Sequence, residues 1–455
     1  MSGGEFSRTL CFSYCNFMFQ IILSKRIRSI TVVLTVIIAA ATVFFSACST
    51  HRSDIETTAK AAEILIQDDG DAAVDQAIAL INKVPDSAIG YDQLAVHYIK
   101  KARQTGDFTL NEKAVSAIEK ALEVAPNDDN SRKLKASLLL TYHKFDEALG
   151  LGKELNQAAP NDAFVYGILT DANVELGNYD DAVAAAQRMV DLRPNSSSYA
   201  RVAHLRSLHG DMKGAVEAFK LAARTADPAD AEAQSWCLSQ LGDEYWKYGK
   251  YADAGRTYDE ALTILPNYYL ALVGKGRNLA SQNDLTAAAQ ILVTATDRIP
   301  NVEGAILLGN IYQKLGMNEK AKQQYDLVEV IEAKLGVNND QKRLALLWAD
   351  QEINLEKALE ITSRESQMRK DVLTYDALAW TLYRLGKFED AESAISAALR
   401  LKSNDARTLF HAGMIQKARG KRAEAKQSLS KALKLNPEFD LLQSDIARSN
   451  LLELK

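Results

Sequence analysis

The sequence predicts an all-α solenoid, a stack of about ten to eleven helix–turn–helix units. Three observations lead there. Prolines are few and phased: Pro126, Pro160 and Pro194 stand 34 residues apart, as do Pro266 and Pro300, while Pro85, Pro228 and Pro437 close helical segments near the same phase. Proline inside a helix removes a hydrogen bond and clashes with the preceding turn, so prolines held to one phase mark where helices stop. Between them, apolar residues recur at helical spacing. In the stretch 235–268, Leu238, Leu241, Gly242 and Tyr245 fall at i, i+3, i+4 and i+7; Gly249 breaks that helix; Ala254, Tyr258, Ala261 and Leu262 fall at i, i+4, i+7 and i+8, again one helix face; Pro266 ends it. No stretch alternates apolar and polar residues as a half-buried strand would.

A chain of 455 residues is too long for one core and long enough for many small units. The net charge is −5, and the segment before Cys48 is basic (Arg8, Lys25, Arg26 and Arg28 against Glu5), which leaves the body more acidic still. An acidic body with no basic run argues against nucleic acid, whose phosphates require a cationic footprint. The four cysteines form no metal or disulfide framework, and Cys237 reads as a small buried hydrophobe within a helix.

Leu-Gly, Tyr, Ala, Tyr, Ala and Pro at the intervals seen in 235–268 resemble the tetratricopeptide repeat, a helix–turn–helix unit of 34 residues. The resemblance implies a right-handed superhelix whose first helices line a concave groove. One unit cannot bury its apolar face alone, so neighbours are required on both sides.

In chain order, residues 1–47 read as a signal peptide. A basic cluster (Lys25, Arg26, Arg28), an apolar run from Ile30 to Phe45 and small residues precede Cys48. Phe45-Ser46-Ala47-Cys48 resembles a bacterial lipobox, which implies lipidation of Cys48, although Phe45 departs from the usual aliphatic residue. Met18 as the start would give a leader of ordinary length, and an uncleaved anchor helix is the competing reading of the apolar run. Residues 48–53 form a tether, 54–439 the solenoid and 440–455 a capping helix. The opening hairpin, 54–87, fits the repeat poorly but ends at Pro85, and its Asp68-Asp69-Gly70-Asp71 turn lacks the further ligands of a calcium loop. The second unit, 88–128, has a long inner turn from Thr105 to Asn111. Three units of 34 residues follow, at 129–162, 163–196 and 197–230. Residues 231–234 are in excess before the best-matched unit. The units at 269–301 and 302–335 keep the phase; the one near 340–371 is degenerate, held by Leu346, Ala358 and Ile361; 372–404 and 405–439 recover it.

Residues for catalysis or metal binding are not assembled in the sequence. The six histidines are scattered, His204 and His209 stand five apart rather than four, and no H-E-x-x-H, G-x-S-x-G or phosphate-loop pattern occurs. Acidic pairs such as Asp180/Asp181 and Glu389/Asp390 open second helices, where they complement the helix dipole. The expectation is a chain without enzymatic activity, cofactor or metal.

Carrying the family's groove positions onto this chain selects Asp171, His204, Trp236, Asp243, Trp246, Arg277, Asn310, Gln313, Trp380 and Tyr383 as partner-binding residues. Each tryptophan has a competing reading: Trp236 and Trp246 as filling between repeats, Trp380 as packing on the next helix. The Lys/Asn/Arg set with which some relatives clamp a C-terminal carboxylate is not reproduced. The chain resembles bacterial tetratricopeptide-repeat lipoproteins. That resemblance implies a scaffold binding proteins or peptides at the cell envelope, held by an N-terminal lipid and facing the periplasm or exterior, with Ser49 after the cysteine pointing to an outer membrane. A self-associating structural protein and an envelope enzyme are the alternatives.

Overall fold

The computed structural model describes residues 71–298, 301–335 and 341–454. The leader, the tether with Cys48 and most of the opening hairpin lie outside the described residues. Those described contain 22 helices and no strand. Helix α1 (Ala72–Lys83) is followed by ten hairpins, each a first helix and a second helix. They are α2 (Ala88–Thr105) with α3 (Leu110–Val124), α4 (Asp129–Thr141) with α5 (Phe145–Ala158), and α6 (Ala163–Glu175) with α7 (Tyr179–Leu192). Next come α8 (Ser196–Leu208) with α9 (Met212–Thr225), α10 (Ala231–Lys247) with α11 (Tyr251–Ile264), and α12 (Tyr269–Ser281) with α13 (Leu285–Arg298). The last four are α14 (Val302–Lys314) with α15 (Asn318–Leu335), α16 (Lys342–Gln351) with α17 (Leu355–Met368), α18 (Val372–Arg384) with α19 (Phe388–Ala398), and α20 (Ala406–Ala418) with α21 (Arg422–Leu435). Helix α22 (Gln443–Glu453) closes the described chain.

The ends of the first helices show why the chain folds this way locally. Asp128, Asp162, Asn195, Asp230, Asn301, Asp371 and Asp405 each accept a backbone N–H of the helix that follows, satisfying donors a helix start leaves open. Every first helix then ends on a residue of positive φ. Gly106, Gly177, Gly210, Gly249, Gly316, Gly386 and Gly420 fill this place, and His143, Asn283 and Glu352 take it in the other three. The four residues in excess at 231–234 do not form a loop. Asp230 caps Ala233, and the residues lengthen α10 by one turn.

Close approach of the helices depends on pairing a glycine with a large side chain. Tyr258 of α11 is fully buried between Gly242 of α10 and Gly274 of α12; a Cβ on Gly242 would come within 2.5 Å of its ring. Tyr325 against Gly309, Leu292 against Gly276 and Leu429 against Gly413 repeat the device. Alanines with no exposure, among them Ala254, Ala261, Ala288, Ala295, Ala391 and Ala425, line the seams between helices.

The solenoid comes back onto itself. Lys370 N–H donates to Glu175 O at 2.8 Å and Val372 N–H to Tyr179 Oη at 3.0 Å. Asn404 Nδ2 donates to Gly210 O at 3.0 Å and Asn436 Nδ2 to Trp246 O at 2.8 Å. Partners in these side-chain contacts lie 190 to 194 residues apart, so the winding repeats every five to six units. Arg369, almost without exposure, donates to Glu175, ion-pairs with its neighbour Asp371 and lies over the Phe145 ring. Arg400 lies over Tyr179 and Tyr375. The inner turns of one winding rest on the junctions before the first helices of the next.

Helix α22 starts later than the amphipathic pattern suggests, because Asp440 accepts the N–H groups of Leu442 and Gln443 and sets its beginning. Ala447 and Leu454 pack with Phe410, Leu429 and Phe439. The same segment also reaches first helices several units earlier: Lys314 Nζ meets Asp445 at 2.6 Å, and Leu441 packs with the cluster that includes Leu272 and Leu308.

Candidate functional site: the row of first helices

Successive first helices touch, and their facing side chains form a polar ladder. Arg201 of α8 grips Asp171 of α6 with two hydrogen bonds, Nε at 2.8 Å and Nη2 at 2.5 Å. Ser207 of α8 donates to Glu244 of α10 at 2.7 Å. Asp243 of α10 pairs with Arg277 of α12, which reaches Glu303 of α14 at 2.9 Å, and Arg343 of α16 meets Glu303 at 3.3 Å. Asp350 of α16 accepts from Trp380 Nε1 at 2.7 Å, from Arg407 of α20 at 2.7 Å and from Gln443 Nε2 at 2.5 Å. His411 of α20, fully buried, places Nδ1 2.9 Å from Asp376 of α18.

The walls of the groove tune these charges. Desolvation raises the Asp243 carboxyl despite Arg277 and the Tyr258 hydroxyl beside it, and raises Asp350 despite Arg407. Desolvation opposes the Arg277 charge, but Asp243, Tyr258 and Glu303 outweigh it and hold the guanidinium above its ordinary range. For Glu303, desolvation loses to Arg343 and Arg277, and the carboxyl is lowered. His204 is exposed on one side, while the protein packed about it and then the Lys247 charge push its imidazole downward.

The ten residues picked out by the sequence fall into three situations. His204 and Gln313 are exposed. Asp171, Trp236, Asp243, Trp246, Arg277, Asn310 and Tyr383 are half-buried, and most are already engaged. Trp246 donates from Nε1 to Ser281 at 2.8 Å under the Arg277 guanidinium, Asn310 and Gln313 both accept from Tyr325 Oη, and Trp236 packs against the Cys237–Tyr268 cluster. Trp380 is 2% exposed and stacks on His411 and Tyr383, so the packing reading describes it. The ladder joins Asp243, Trp246 and Arg277 in one group and Asn310 with Gln313 in another.

Sequence reasoning passed over Trp348, Asp350, Arg407, Asp376 and His411. A signal for Asp350 was present: it follows Ala349 as Asp243 follows Gly242 and Arg277 follows Gly276, but it sits in the degenerate unit. Cys237 is buried beside Ser196, and desolvation pushes its thiol to about 11, the state of an inert thiol. Among the described residues no group of three or more His, Cys, Asp or Glu side chains is arranged to hold a metal ion, and no helix is long and apolar enough to cross a membrane.

Comparison with known proteins places family models described as tetratricopeptide repeat on residues 239–302, 302–328 and 377–438. Among curated proteins, the chain is similar to human protein O-mannosyl-transferase TMTC1, at 24% identity over 250 residues, 54% of this chain. The match spans 24% of that protein's length. Among solved structures, a tetratricopeptide repeat protein from Parabacteroides merdae is 20% identical, with 57% of this chain and 98% of that one covered and a TM-score of 0.34. A human IFIT1 dimer with PPP-AAAA is 14% identical, with 79% and 85% covered and a TM-score of 0.44. The matched segments cover α11 to α14 and α19 to α21 entire, and the helical hairpins continue outside them. The chain carries tetratricopeptide repeats, built into an all-α solenoid.

Proposed function

We propose that the chain is a non-catalytic scaffold that binds partner proteins or peptides along the row of its first helices. It is tethered to a bacterial membrane by a lipid on Cys48 and serves envelope assembly, secretion or export. The observation that carries the binding role is the row itself. Ten stacked first helices present exposed His204 and Gln313 and half-buried Trp246 and Tyr383 on a repeat scaffold, and repeats of this kind generally mediate protein–protein binding. Polar and aromatic side chains held rigid by a ladder are ready to bind without being ordered first, which lowers the entropic cost of association. The tether rests on the basic and apolar stretch that ends at Cys48. Held at one surface, the groove meets partners of that membrane at raised effective concentration.

The test is capture from membranes by the full chain beside a His204→Arg/Gln313→Arg variant. Both positions are exposed, so the added bulk changes the groove and leaves the core alone. Specific proteins retained by the parent and lost from the variant are expected. An identical set captured by both would remove the groove from the account.

A further inference from the structure

The C-terminal end of the row encloses a cavity of about 860 Å³ between α14, α15, α16, α18, α20 and the start of α22. Its size is that of a ligand pocket rather than a packing defect. Trp348 and Met414, each 9% exposed, give it an apolar floor, backed from beneath by the buried Trp380 and Phe410.

The charges around that floor do not cancel. Lys322 is paired with Asp326 at 2.6 Å, Arg384 with Glu352, and Arg407 with Asp350. Two lining carboxylates form no ion pair among the described residues. Glu329 accepts only the Trp348 indole N–H, at 2.9 Å. The Asp440 carboxylate accepts only the backbone N–H groups of Leu442 and Gln443, each at 2.9 Å. Gln443, also in the lining and 5% exposed, gives its Nε2 to Asp350 and leaves its Oε1 with no hydrogen-bond partner. What the lining offers is therefore acceptors: one amide oxygen without a hydrogen-bond partner and two carboxylates that stand outside any ion pair.

We infer that this cavity receives a partner segment presenting an arginine or lysine beside an apolar side chain. A long cationic side chain suits both halves of the site. Its aliphatic stem lies on the apolar floor, and its head donates to Glu329, Asp440 and Gln443 Oε1, gaining cation–π attraction on the way. A bound carboxylate or phosphate would face repulsion from the same two carboxylates. The inference rests on the partner-binding reading and adds the chemistry of the partner.

The probe is a phage-displayed random peptide library panned on the detergent-solubilised full chain, followed by anisotropy with the recovered peptides. A Glu329→Gln/Asp440→Asn variant keeps an acceptor for Trp348 and one for the N–H groups of Leu442 and Gln443, so it removes charge and little else. The expected result is enrichment of Arg or Lys next to apolar residues, with binding about tenfold weaker or more in the variant and weakened by salt. Acidic or uncharged peptides that a His204→Arg variant, altered outside the cavity lining, fails to bind would overturn this inference and leave the groove reading standing. Basic peptides binding parent and charge-neutralised variant equally would overturn it too. Recovery of no peptide would overturn it as well, with the groove reading then judged on the membrane capture.

Discussion

At the residue scale, glycine does two separate jobs here, and substitution distinguishes them. Gly386 has φ +73, and a Cβ there would meet nothing within 4 Å, so alanine at this position faces only backbone strain. The expected cost is about 1–2 kcal/mol, the penalty of a left-handed L-residue. Gly242 lies in a helix with ordinary φ, but a Cβ would come within 2.5 Å of the fully buried Tyr258 ring. Alanine there forces the ring or α11 outward, at about 1–3 kcal/mol from overpacking less about 0.5–1 kcal/mol of helix preference. Thermal unfolding of Gly242→Ala, Tyr258→Phe and the double variant separates the terms. The Phe variant loses the 2.7 Å bond to Asp243 but keeps the ring, so it should not relieve the clash. Full relief by phenylalanine would mean that the hydroxyl, not the ring, sets the spacing.

At the scale of elements, most of the helices were legible because their boundaries depend on neighbours in sequence. Proline phase, Asp or Asn caps and αL glycines are local devices, and they mark most hairpin boundaries without knowledge of the fold, whereas α16, with Gln341 before it and Glu352 after it, has none of them. The extra turn of α10 was not legible, since residues 231–234 read equally well as a loop until Asp230 is seen capping Ala233. The proposed binding residues came only as a register carried over from the repeat family. That register picks out Asp243, Arg277 and Asn310, but it cannot tell which of them are consumed by pairing. Arg277 is spent on Asp243 and Glu303, and Trp380 on Asp350 and His411. Those pairings depend on how far each first helix is rotated against the next, a property of packing rather than of spacing.

At the scale of the molecule, the contacts between windings had no sequence signature at all. Glu175, Arg369, Asn404 and Asn436 meet partners about 190 residues away, a separation that follows from the pitch of the whole stack. Arg369 is the strongest of them, being buried between Glu175 and Asp371. Arg369→Met would leave those carboxylates without it in a desolvated place, at about 3 kcal/mol. The windings should part, seen as a larger radius of gyration by small-angle scattering. Unchanged stability and radius would mean that the windings are held by the helices alone.

The central claim is that partners bind on the inside of the row. The most direct measurement is photo-crosslinking in intact cells with benzoylphenylalanine in place of His204 or Gln313 on first helices, beside Lys153 or Glu217 on second helices, all four exposed. The account predicts discrete adducts from the first pair and none of the same species from the second. Adducts confined to Lys153 and Glu217 would place the partners on the outer surface and contradict it.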